Sequence, residues 1–180
     1  MLLGAQRPIL LKHSYGGSVA LAWELEAPDT IAATVNVSGV SHPWSTGLGT
    51  YYKVTSHRYF GLKGALFISA FAPERSIQTS LKEVFASQSP HETYRQEFGV
   101  ELVLRQKTIL ANALKRWFLK PQIIAKAPRY TALTLPIEII HVTEDTVVSP
   151  ELHAKALKRD AQNANFTPLD GVGHMPQHVA

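Results

Sequence analysis

A short apolar run, a serine–glycine turn, a helical stretch and a second apolar run succeed one another between Pro8 and Ser38, and this pattern constrains the fold most. Pro8-Ile-Leu-Leu reads as a buried strand. His13-Ser-Tyr-Gly-Gly is a turn signal. In the run Ser18–Glu26, Val19, Ala22 and Trp23 recur at helical spacing, and Pro28-Asp29 stops the helix. Ile31–Ser38 is rich in β-branched residues and reads as a second strand. Strand, helix and strand within one such unit imply a parallel sheet covered by helices, hence an α/β fold.

The stretch from Ser41 to Arg129 has another character. Helical patterns fall near Thr50–Tyr59, Gly64–Phe71, Ser76–Phe85, Tyr94–Phe98 and Val103–Phe118, with many aromatics and no strand pattern. Helices without a sheet of their own suggest an insertion resting on the sheet scaffold. Strand and helix then resume with Pro136–Val142, with a helix opening at Pro150, where a first-turn proline is favourable, and with a short strand Asn165–Leu169. Pro168 suits an edge position for that last strand. The expected organisation is a core of residues 1–40 and 130–180 interrupted by a helical cap of residues 41–129.

Composition narrows the function classes. With 45% hydrophobic and 18% charged residues, the 180-residue chain is an ordinary globular protein. It has no cysteine, which removes disulfides, thiolate metal sites and a cysteine nucleophile together, and makes a reducing, cytoplasmic setting the expectation. No apolar run approaches the roughly 18–20 residues that span a bilayer. Charge is uneven: Ser41–Arg129 holds 13 Lys/Arg against 5 Asp/Glu, and the remainder 5 against 9. A basic middle segment is either a solubilising surface or an attraction for anionic substrates and acidic lipid. A peripheral membrane contact is therefore left open, with Gly64–Phe71 as the lipid-facing stretch, although so short an apolar run is more often a buried helix. The histidines show no metal-ligand spacing, and neither a phosphate loop nor a nucleic-acid motif is present, so no cofactor, metal or nucleic acid is expected.

Ser14 carries the chemistry. It lies where a buried strand bends into a helix, at the sheet edge where parallel sheets bind ligands. The following helix offers free backbone N–H groups and the positive end of its dipole. Gly16 and Gly17 keep side chains away from the bend and let strand and helix approach. A serine that only caps the helix is the competing reading. A hydroxyl becomes a nucleophile when a base takes its proton and a carboxylate orients that base. Asp145 follows the strand ending near Val142, and His174 follows Leu169 in a loop made pliant by Gly171 and Gly173. Asp145 could instead cap the turn after it, and Glu144 and Asp170 are rival carboxylates.

The segment His13-Ser14-Tyr15-Gly16-Gly17-Ser18-Val19-Ala20 resembles the nucleophile elbow of the α/β-hydrolase superfamily, and Leu135–His178, with Asp145-Thr-Val-Val and Gly171-Val-Gly-His174-Met-Pro, resembles its acid and histidine segments. The order Ser, Asp, His is that family's order. The resemblance implies a partial α/β-hydrolase fold, a Ser14–His174–Asp145 triad, acyl transfer through a Ser14 acyl-enzyme, and Tyr15 as a backbone oxyanion donor within the elbow of His13, Gly16 and Gly17. The resemblance does not name the substrate; the triad together with the aromatic-rich cap makes a small or medium apolar acyl ester the expectation. A serine at this position argues for an esterase, a lipase-like enzyme, a C–C bond hydrolase or an acyltransferase, and against the aspartate-dependent members.

Three features depart from the family pattern, one of them being that the sequence ends at Ala180, before the helix that usually follows the histidine. Lys12 stands where the elbow usually has glycine, so its long side chain must escape a crowded turn. Only 13 residues precede Ser14, where the family normally has several strands and a His-Gly-rich loop giving the second oxyanion donor. Losing one such donor costs about 10²–10³ in turnover. The expectation is a truncated chain of reduced activity whose Ile9–Leu11 strand has an unpaired side. The alternative, from a different class, is a non-catalytic hydrolase-like module that binds a ligand or partner.

Overall fold

The computed structural model describes residues 4–47 and 49–178. Four parallel strands, β1 (Ile9–His13), β2 (Ala33–Val37), β3 (Ile137–Val142) and β4 (Ala164–Leu169), lie side by side in sequence order. Parallel neighbours need crossovers, and each connection supplies one. Helix α1 (Tyr15–Glu26) joins β1 to β2, and α8 (Ala156–Asp160), entered through a π-helical turn at Glu151–Lys155, joins β3 to β4. Between β2 and β3 the described residues form helices only: α2 (Thr50–Thr55), α3 (Gly61–Phe71), α4 (Glu74–Val84), α5 (Tyr94–Phe98), α6 (Val100–Val103) and α7 (Gln106–Lys126).

β3 is the most buried strand, with Ile137 and Ile139 sealed against Leu21 of α1, Leu157 of α8 and Tyr130, and Val142 buried as well. Each such side chain removed from water stabilises the fold by about 1.5–3 kcal/mol. β1 and β4 are the edges among the described strands. Ile9 and Leu11 of β1 are accordingly 63% and 67% exposed, and Pro168 sits on β4, where its missing N–H breaks no ladder on the outer side.

α7 runs eight residues past the expected end at Phe118, straight through Pro121. A proline inside a helix forfeits one backbone bond. Packing outweighs that loss here: Leu119 and Ile123, one turn apart, are buried against Val40 and Val148 at the carboxyl end of the sheet. The contact fixes α7 beside the loops that follow β2 and β3. α3 shows the opposite of its expectation. Only Gly61 and Ala65 of this helix are buried, because its small face is the one in contact, and Phe67 and Phe71 stay 66% and 68% exposed. Among the described residues no helix is long and apolar enough to cross a membrane.

Candidate active site

β1 ends by turning into α1 at Ser14, whose φ of 53° is rare for a residue with a side chain. The turn is pinned from three sides: the Ser14 amide donates to the Val37 carbonyl (3.0 Å), and the amides of Gly17 and Val40 donate to the Ser14 carbonyl (3.0 and 3.1 Å). Strain of this kind persists only where the surroundings enforce it. Gly17 explains how they come so close, since a Cβ there would lie 2.5 Å from Asn36 Oδ1 and 2.8 Å from the Gly39 Cα. Gly39 is equally restricted, with a Cβ position 1.6 Å from Asn36 Oδ1. Gly16 differs: its added Cβ would meet only the stem of Lys12, at 3.4 Å. Lys12 itself is exposed, so its ammonium reaches solvent with its stem beside Gly16.

Ser14 makes no side-chain cap on α1. Its Oγ lies 2.9 Å from His174 Nε2, and His174 Nδ1 lies 2.8 Å from Asp145 Oδ2. The carboxylate is an acceptor, so Nδ1 carries the hydrogen and donates to it; Nε2 is then free to accept from the Ser14 hydroxyl. His174 and Asp145 are buried, and Ser14 is half-buried. Asp145 does cap its own turn, as the competing reading has it: Oδ1 accepts from the amides of Val147 (2.9 Å) and Val148 (2.7 Å). One oxygen serves the turn and the other serves His174. Glu144 and Asp170 are exposed. Burial draws the Asp145 carboxyl upward, yet the imidazoles of His141 and His174 and the Val148 amide outweigh it and hold the group well below the usual carboxylate range.

Tyr15 is the first residue of α1, so by helix geometry its N–H has no intrahelical acceptor. The loop of His174 leans on the helical segment: a Cβ on Gly173 would stand 2.1 Å from the Ala86 carbonyl oxygen, and Gln88 Nε2 donates to the Gly171 carbonyl (3.3 Å). Of the two loop glycines, Gly171 supplies a left-handed turn with φ 71°, whereas Gly173 supplies clearance.

A family model described as the alpha/beta hydrolase family matches residues 2–179. The chain belongs to the α/β-hydrolase family. Among solved structures it is similar in fold to a serine hydrolase from Cycloclasticus zankles (17% identity, TM-score 0.67, covering 97% of this chain and 60% of that one). It is also similar to a thermophilic esterase from Thermogutta terrifontis (17%, 0.59, 98% and 61%). A third is 2-hydroxy-6-oxo-6-phenylhexa-2,4-dienoate hydrolase from a Rhodococcus species (16%, 0.60, 97% and 60%). The chain spans about three fifths of the length of these structures. No curated protein matches its sequence.

Other histidines of this α/β-hydrolase lie near the three residues; the elbow reading named His13 without a contact for it, and the sequence pattern did not single out His141, His153 or His42. His13 Nε2 donates to the His174 carbonyl (2.8 Å), and burial lowers its pKa in spite of that bond. His141, wholly buried on β3, donates from Nε2 to the Val148 carbonyl at 2.8 Å and stands 3.5 Å from Asp145 Oδ2. The shorter contact takes the proton; the carboxylate feels the imidazole as a neighbour. His153, in the π-helical turn, accepts at Nδ1 from the amides of Ser41 (3.3 Å) and His42 (3.1 Å), and His42 Nε2 reaches Asp160 Oδ2 at 2.9 Å. Only tertiary packing reveals these partners. Among the described residues no group of three or more His, Asp or Glu is placed to hold a metal ion.

Proposed function

We propose that this α/β-hydrolase cleaves a carboxylic ester, or a related acyl bond, through a covalent acyl intermediate on Ser14. The observation that carries the reading is the continuous line of hydrogen-bonding distances from Ser14 Oγ to His174 Nε2 (2.9 Å) and from His174 Nδ1 to Asp145 Oδ2 (2.8 Å). His174 takes the Ser14 proton as Oγ attacks the carbonyl carbon. The oxyanion accepts from the Tyr15 N–H, and collapse expels the alcohol, which receives the proton from His174. Water, deprotonated in turn by His174, attacks the acyl-enzyme; the acid leaves and Ser14 regains its hydrogen. Asp145 holds the imidazole in the required tautomer and stabilises its charged form. Residues 41–129 serve in this reading as a helical cap on a core of residues 1–40 and 130–180, supported by the all-helical connection between β2 and β3 and by the contact of Ala86 with the His174 loop. A thermophilic esterase is among the structures of similar fold, which supports an ester as the bond cleaved.

A fluorophosphonate probe tests the assignment. It reacts with a serine activated in this way, so the native chain is labelled and Ser14→Ala is not. Labelling that survives in Ser14→Ala defeats the reading, as does a native chain that neither reacts with the probe nor hydrolyses 4-nitrophenyl acetate, which is the outcome the binding-only alternative requires.

A further inference from the structure

Two adjoining concavities, about 210 and 190 Å³, open between α7 and the loops after β2 and β3. They share Trp44, Thr46 and Arg116 as walls, so together they reach the lower range of small-ligand sites, about 300 Å³ and upward. Trp117 lines one of them and Val148 the other. Two cations border the same space. The Arg116 guanidinium carbon stands 5.3 Å from the Trp44 ring centre, and Lys120 Nζ stands 5.8 Å from it and donates to the Thr46 carbonyl at 3.2 Å. Among the described residues neither cation meets a carboxylate.

The surrounding charge points the same way. α7 carries Lys107, Lys115, Arg116, Lys120 and Lys126 and not one acidic residue in its 21 positions. Leu119 and Ile123 anchor that helix against Val40 and Val148, which fixes the Arg116 and Lys120 stations beside the loop that holds Asp145. Aromatic faces remove a flat apolar body from water, and half-buried unpaired cations favour a negative group at its end.

We propose that this cleft is a binding subsite for an organic carboxylate: a small apolar or aromatic body seated on Trp44 and Trp117, with its charge between Arg116 and Lys120. Binding there does not depend on Ser14. Its consequence for substrate choice, an ester whose acid or alcohol part bears a second, free carboxylate, rests on the acyl-transfer reading above.

The experiment is an equilibrium titration of tryptophan fluorescence with 4-phenylbutyrate and with its neutral isostere 4-phenylbutyramide. Saturable quenching by the carboxylate is expected, with the amide about three- to tenfold weaker, as the loss of pairing with two half-buried cations implies. Arg116→Gln/Lys120→Gln should weaken the carboxylate by a similar factor, whereas Arg116→Lys, which keeps the charge but loses the planar group over Trp44, should weaken it less than the double variant does. Circular dichroism on each variant verifies the fold. Equal affinity for acid and amide, no saturation by the acid up to about 10 mM, or a double variant that binds as the native chain does would each overturn the proposal. The readout needs no turnover, so it decides the subsite even if Ser14 fails to react. Conversely, hydrolysis of a neutral ester without carboxylate binding would remove the subsite and leave the esterase reading intact.

Discussion

His13 and His174, 161 positions apart in sequence, are joined by a hydrogen bond of 2.8 Å from the ring of the first to the backbone carbonyl of the second, with ring centres 4.8 Å apart. The residue before the proposed nucleophile thereby holds the residue proposed to activate it. His13→Phe keeps a ring but loses the donor, and the His174 loop is free to drift. A displacement near 1 Å costs about a hundredfold in such sites, so kcat should fall by tenfold to a hundredfold with KM little changed, while His13→Gln, which can still donate, recovers part of it. Steady-state kinetics on a 4-nitrophenyl ester separates the two; equal loss in both variants removes the bond from consideration.

Asp145→Asn leaves the turn cap to Val147 and Val148 in place and takes away the acceptor that fixes the His174 tautomer. A drop in kcat of about 10⁴ is expected, with thermal stability close to native. Activity within tenfold of native would assign the orienting role elsewhere.

Gly17 and Gly16 are neighbours with different burdens. At Gly17 a methyl group would strike Asn36 and the Gly39 backbone, at Gly16 only a pliable lysine stem. Gly17→Ala should cost about 1–3 kcal/mol by overpacking, and Gly16→Ala should stay within about 0.5 kcal/mol. Urea unfolding of both variants checks the difference, which vanishes if the turn is loosely packed.

His153 makes stability depend on acid. Burial is the main cause that lowers its pKa, to about 4 against an ordinary 6.5, helped by the neighbouring His141 and His42. Between those values the unfolded chain binds a proton that the folded chain refuses, so stability is full above pH 6.5 and falls as pH drops toward 4. At pH 5 the loss relative to pH 7 is about 2 kcal/mol from this residue. His153→Asn, whose side-chain oxygen can still accept from the Ser41 and His42 amides, should flatten that part of the profile. Denaturant unfolding at the two pH values measures it, and an unchanged slope would place the acid sensitivity elsewhere.

Much of the architecture was legible locally. β1, α1 and β2 follow from apolar runs separated by a glycine turn, and Pro168 foretold an edge strand, because such signals act over a few residues. The positions of Ser14, Asp145 and His174 at strand ends were readable for the same reason. The course of α7 through Pro121 and the exposed face of α3 were not, since both depend on which neighbours the helix meets.

What the sequence determined by itself is the parallel α/β scaffold, the family, and three side chains of the right chemical types on three loops. Tertiary structure alone decided the remainder: that His174 lies between Ser14 and Asp145, that His13 holds its backbone, and that Arg116 and Lys120 border a tryptophan-lined cleft. The physical reason is range. Periodicity and turn preference are set by adjacent residues, whereas hydrogen bonds and burial across more than a hundred positions are set only when the sheet and α7 have packed.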